Sequence, residues 1–182
     1  YNVQVREVTQ VNPGDPVREY QLVNFTFDGK PGEAVPTFLA LPKKATGKVP
    51  VVIFLHGIGQ KKDFLKEICQ PFLQTGFAIA SFDQYMRGER RLPGNTGKIA
   101  EALAFRQRPA KTINEARRLV GYLANHPQID PQRIYLAGAS YGAITGSTVL
   151  AFEKRIRAGV LIYGGANIPL MLDAPMIRDG AQ

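Results

Sequence analysis

Gly138-Ala139-Ser140-Tyr141-Gly142 sets a hydroxyl between two glycines, where an apolar run, Ile134 to Ala137, gives way to a helical pattern, Tyr141 to Arg155. A serine so placed can attack a carbonyl carbon. That chemistry asks for a sharp, strained turn that lifts the hydroxyl above a sheet, with flanking glycines that let neighbouring backbone pass without a Cβ clash. The helix that follows aims its first N–H groups at a developing negative charge. Ala143, Gly146 and Ser147 keep that helix slim where it must pack. A glycine-rich turn of this kind also serves as plain structure or as a phosphate cradle; the strand-to-helix setting favours the nucleophile.

A second group of residues points the same way. His56-Gly57-Ile58-Gly59 follows the apolar run Val49 to Leu55, at the end of a strand where open α/β sheets place their ligands. The Ile58 N–H can there face the N–H of Tyr141. Two such donors would hold a carbonyl oxygen as it becomes an oxyanion, an effect of about 3–4 kcal/mol for each well-placed donor. His-Gly alone also opens ordinary loops.

A nucleophilic serine needs a general base, and the base needs a carboxylate to orient it. The chain has two histidines. His56 is committed to the oxyanion loop. His126, in Asn125-His126-Pro127, precedes the strand that leads to Ser140 and so belongs to the opposite edge of the sheet, roughly 17–20 Å away. The general-base histidine is therefore not in this chain. Asp173, and beside it Asp179, is a candidate for the orienting acid, although aspartates in such tails are usually just solvated. Arg87 and Glu89 either line the pocket or pair with each other at its rim.

The elements that must position these groups are legible from periodicity. Val3 to Thr9 alternates, and Arg18 to Phe27 puts Val23, Phe25 and Phe27 on one face. Asp28-Gly29 and Pro31-Gly32 then supply turn chemistry before Val35 to Leu41, which predicts a hairpin. From residue 49 strands alternate with helices: Val49 to Leu55, a helix carrying Phe64 to Leu73 that Pro71 should kink or split, and Phe77 to Phe82. Residues 91–109 read as an irregular excursion or partial lid with a short helix around Ile99 to Phe105. An amphipathic helix from Ile113 to Leu123, the strand and helix around Ser140, and a last strand, Val160 to Tyr163, complete the pattern. This predicts an α/β fold: a mostly parallel sheet with helices on both faces, preceded by β-strands in residues 1–42, all in one domain over 1–182.

Bulk composition narrows the functions. The net charge is +8, yet the basic residues are dispersed and form no aromatic-interleaved stripe, so nucleic acid is not expected. No apolar run approaches the ~20 residues of a membrane span. Cys69, the sole cysteine, sits among apolar neighbours and reads as an inert core thiol. No motif calls for a metal or cofactor, and the compartment is not readable. Position 1 is Tyr, so the chain is expected to begin after some processing or trimming step.

From about residue 35 to residue 165 the chain resembles the α/β-hydrolase superfamily, and within it the dienelactone-hydrolase-like and prolyl-oligopeptidase-like esterases. The residues that carry the likeness are the strand ending in His56-Gly57, the strand ending at Asp83 followed by Arg87-Gly88-Glu89-Arg90, and Ile129 to Ile134 leading into Gly138 to Gly142. The resemblance implies an α/β-hydrolase fold and a serine esterase working through an acyl-enzyme, without a cofactor. It also implies that the acid and histidine follow a seventh and an eighth strand, in the order Ser, Asp, His. The chain is thus expected to be C-terminally incomplete, running through about the sixth strand of that fold. Val160 to Tyr163 would then be an unguarded edge, completed by a further segment, a second polypeptide or a homo-oligomer. The expected partner in catalysis is a small-molecule ester; a peptidase or amidase is a variant of the same layout. The alternative is a non-catalytic binding module that kept the serine turn and lost the base.

Overall fold

The computed structural model describes residues 2–43 and 47–164. Seven strands form one sheet: β1 (Gln4–Val11), β2 (Tyr20–Lys30), β3 (Glu33–Pro42), β4 (Val49–Leu55), β5 (Ala78–Phe82), β6 (Ile129–Ala139) and β7 (Ile156–Ile162), in the order β1-β2-β3-β5-β4-β6-β7. β1 and β3 run against the other five, so the sheet is mostly parallel, as expected. The predicted hairpin is β2–β3, closed at Pro31-Gly32 with Gly32 at φ 77.

Strand alternation divides the core into two layers. On β4, Val49, Val51, Ile53 and Leu55 face one way and pack with α2 (Lys98–Ala124) and α3 (Tyr141–Phe152), through Ala116, Leu119, Val120, Leu123 and Val149. Val52 and Phe54 face the other way, against Leu65, Cys69 and Leu73 of α1 (Leu65–Gln74). Every residue of β4 is buried. That is why its sequence is a continuous apolar run: a central parallel strand has no polar face. The helices cover both faces, and the architecture is the α/β-hydrolase fold. Cys69 is fully buried among apolar side chains of α1, and burial pushes its thiol pKa up.

Two expectations about helices need correction. Pro71 neither splits nor ends α1, which continues through it to Gln74. The short helix expected around Ile99 to Phe105 is present but much longer: residues 98–109 are the first three turns of the 27-residue α2, which passes through Pro109 and absorbs the separate helix expected from Ile113. The sequence concealed this because the buried stripe of α2 begins Ala104, Arg108, Thr112, Glu115 and turns apolar only at Ala116. A polar stripe at helical spacing gives no hydrophobic period to read.

Candidate active site

β6 ends at Ala139, and α3 begins at Tyr141; the single residue between them, Ser140, takes φ 51 and ψ −116. A side chain held at positive φ outside a glycine costs about 1–3 kcal/mol and persists only where its surroundings enforce it. Here they do. The Ser140 N–H donates to the Ile162 carbonyl of β7 at 2.8 Å, while its own carbonyl accepts from the N–H groups of Ala143 (2.9 Å) and Ile144 (3.1 Å).

The two flanking glycines are required by distance. A Cβ on Gly142 would stand 1.9 Å from the Leu55 carbonyl oxygen, and one on Gly138 would stand 2.4 Å from that of Gly142. Both contacts are with backbone, which cannot move aside. Leu55 ends β4, so the turn is seated against the strand that leads into His56-Gly57. A Cβ on Gly57 would in turn lie 3.8 Å from the Cβ of Ser140. The serine and the His56–Gly59 loop are thus immediate neighbours, and Ser140 and Ile58 are both exposed.

The loop is held from several sides. His56 is fully buried, and its carbonyl accepts from Gln84 Nε2 at 2.8 Å. Its Nδ1 lies 2.9 Å from the Gly57 carbonyl oxygen, and its Nε2 faces the Gln84 N–H at 3.5 Å. That arrangement suits a neutral ring protonated on Nδ1. Burial drives the pKa of His56 down, against the Gly57 hydrogen bond and the charge of Asp83. Gly57 N–H donates to Gln60 Oε1 at 2.9 Å, and Arg87 Nε donates to the Ile58 carbonyl. No hydrogen bond occupies the Ile58 N–H among the described residues. The Tyr141 N–H, at the start of α3, has no acceptor within the helix.

Arg87 and Glu89 do not pair with each other. Arg87 holds the loop, whereas Glu89 bonds to Lys62 Nζ at 2.6 Å and to Arg6 at 2.5 Å. Behind both stands Asp83, fully buried at the end of β5. It accepts from the N–H and Nζ of Lys62 (2.9 and 3.2 Å) and from the N–H of Glu89 (3.0 Å). Gly88, at φ 55, is the only residue type that fits there, since a Cβ would stand 2.2 Å from the Asp83 carboxyl. Burial opposes the charge on Lys62, but Glu89 and Asp83 outweigh it and raise its pKa. Sequence reading missed Gln84 and Lys62, whose one signal is a place just beyond a strand's carboxyl end.

The remaining residues lie apart. His126 sits between α2 and β6, its Nδ1 accepting from the Gln128 N–H at 3.3 Å and its ring edge-on to Tyr122. In the register of β4, where Val49 meets Ile129 and Leu55 meets Gly138, this is about 20 Å from Ser140. Neither histidine is therefore positioned to take the serine proton. Asp173 and Asp179 lie outside the described residues. A cleft lined by Gly14, Val17, Lys43, Leu73 and Gly76 opens at the opposite end of the sheet and holds none of these groups.

A model of the dienelactone hydrolase family matches residues 35–179. The Bacillus subtilis protein YitV, whose name marks it as a candidate esterase, is 31% identical over 157 residues, covering 81% of this chain and 55% of YitV. The acetyl xylan esterase of Paenibacillus sp. R4 superposes with a TM-score of 0.69 at 19% identity, covering 88% of this chain and 52% of the other. Acetyl xylan esterase 1 of Thermoanaerobacterium sp. JW/SL YS485 gives a TM-score of 0.63 at 20% identity, with coverages of 99% and 59%. At those identities the two structures show a shared fold. The chain spans about half the length of the curated relatives it matches.

Proposed function

Since the chain belongs to the dienelactone hydrolase family, we propose that it carries the nucleophile and oxyanion hole of a serine esterase acting on small carboxylic esters. The observation that carries this reading is Ser140: exposed, forced to φ 51, and packed against the Gly57 loop. In the proposed reaction Ser140 Oγ bonds to the ester carbonyl carbon and its proton passes to a histidine base. The carbonyl oxygen gains the negative charge and is held by the N–H groups of Ile58 and Tyr141. Collapse breaks the bond to the alcohol oxygen, which leaves with the proton, and water then hydrolyses the acyl-enzyme by the same route.

The base and its orienting acid come from outside the described residues, on a further segment or a second polypeptide, with Asp173 one candidate for the acid. A non-catalytic binding module is the second reading. What favours it is that His56 is locked to backbone and His126 lies at the wrong end of β6. Steady-state hydrolysis of an aryl acetate by the full-length protein separates the two. The esterase reading predicts turnover that Ser140→Ala lowers by about 10³-fold or more, with thermal stability changed by no more than about 1 kcal/mol. Turnover that survives the substitution contradicts it.

A further inference from the structure

Arg108 of α2 is 1% exposed, and none of its three guanidinium nitrogens has a hydrogen-bond partner among the described residues. No described carboxylate neutralises it. Glu33 and Glu115 are engaged by Arg90, with Lys111 also on Glu33, while Asp83 and Glu89 are engaged by Lys62. What the guanidinium does meet is the ring of Tyr141, with its central carbon 4.2 Å from the ring centroid. The Tyr141 hydroxyl is buried beside the hydroxyl of Thr112, one turn along α2 from Arg108.

A buried cation without an anion is costly and is seldom retained for stability alone. Left un-neutralised in a poorly polarisable interior, it acts over a longer range than a paired one. The ring it grips belongs to the residue whose N–H opens α3 beside Ser140.

We propose that Arg108 is a positioning residue for the oxyanion side of the site. Its guanidinium holds the Tyr141 ring and so steadies the first turn of α3, where the Tyr141 N–H sits. Its unshared charge favours the negative charge that develops on the substrate oxygen. The inference rests on the reading of Ser140 as nucleophile.

The test is Arg108→Met in the full-length protein, with aryl acetate kinetics and thermal unfolding measured together. The expected result is a kcat lower by about tenfold, a KM within about twofold, and a raised Tm, because a buried unpaired charge gives way to an apolar chain of similar length. Arg108→Lys, which restores the charge only while its buried ammonium holds a proton, should recover kcat relative to Arg108→Met as the assay pH is lowered. A merely structural arginine gives the opposite pattern, with kcat and Tm falling together. That pattern, an unchanged kcat, or a lysine variant no better than methionine at every assay pH overturns the inference. Ser140→Ala run alongside separates the two claims: if it retains activity the esterase reading fails, and if it is dead while Arg108→Met is unaffected only the role of Arg108 fails.

Discussion

At the carboxyl ends of β5, β6 and β7 the chain turns through Met86, Ser140 and Tyr163, each at positive φ. At the amino end of β5 it turns through Gly76, which adopts φ 81 without a side chain to strain. The carboxyl end also gathers the buried Asp83, Gln84 and His56, together with the Arg108 guanidinium. The amino end has the exposed Asn125 and a cleft bordered by Val17 and Gly76. The amino end is not free of such features, but they are eased there: the residue at positive φ past β1 is Asn12, a type that tolerates it, and the buried Glu153 is paired with Arg155. Backbone strain and unpaired buried polar groups each lower stability, so the carboxyl end, with Met86 and Ser140 at positive φ beside Arg108, is spending stability on geometry. The contrast supports the proposed place of the chemistry, and it can be broken or sharpened by substitution at either end.

The largest effect should come from Gly142→Ala. Its new Cβ meets the Leu55 carbonyl oxygen at 1.9 Å, the Leu55 carbonyl carbon at 2.5 Å and the His56 carbonyl oxygen at 2.9 Å. All three are backbone atoms of the strand end that supports the His56–Gly59 loop. Chemical denaturation should show a loss of about 3–5 kcal/mol, the range of severe overpacking and strain, and ester turnover should vanish. Gly76→Ala, at the amino end, meets no atom within 4 Å and bears only the strain of φ 81, so it should cost about 1 kcal/mol and leave turnover intact.

An intermediate effect is expected from pH. Burial depresses the pKa of both His56 and His126. In each case the unfolded chain takes up a proton more readily than the folded one as pH falls below about 6.5. The stability contributed by the neutral rings is thus complete above that value and is lost as pH falls toward the folded-state pKa. Thermal unfolding followed from about pH 7.5 to about pH 5.5 should show Tm falling, with a shallower fall in His56→Asn. A Tm that is flat or rises over that interval contradicts the placement of His56 in a sealed, neutral setting.

The smallest effect should be that of His126→Ala. Its ring contacts Tyr122 and the Gln128 N–H at the amino end of β6, so kcat should stay within about twofold of the parent. A loss on the scale of a missing catalytic base, about 10³-fold, would mean that β6 does not separate it from Ser140.

The sequence disclosed most of the sheet because the strands speak through period. β2 puts Val23, Phe25 and Phe27 on one face, β4 is apolar throughout, and Pro31-Gly32 sits at the predicted hairpin turn. It disclosed the serine turn because Gly138 and Gly142 are demanded by backbone contacts that no other residue satisfies. It did not disclose the first half of α2. There Ile99, Leu103 and Phe105 are exposed while Arg108 and Thr112 are buried, the reverse of an ordinary amphipathic helix. Nor did it disclose the clamp on the His56–Gly59 loop, since Gln84, Lys62 and Asp83 meet through long-range contacts that leave no local pattern. Arg87 and Glu89 look like a neighbouring ion pair in one dimension, but the tight turn at Gly88 sends them to different partners.

The central claim is that Ser140 is an activated nucleophile, and covalent labelling tests it most directly. A fluorophosphonate incubated with the active full-length protein should add one phosphonyl group, lost in Ser140→Ala, and peptide mass mapping should place it on the segment Gly138 to Gly142. Activated serine is the group such probes trap, because attack at phosphorus needs the same base and oxyanion donors as attack at a carbonyl. A modification mapped to any other residue, or an unmodified protein that still hydrolyses aryl esters, would contradict the account.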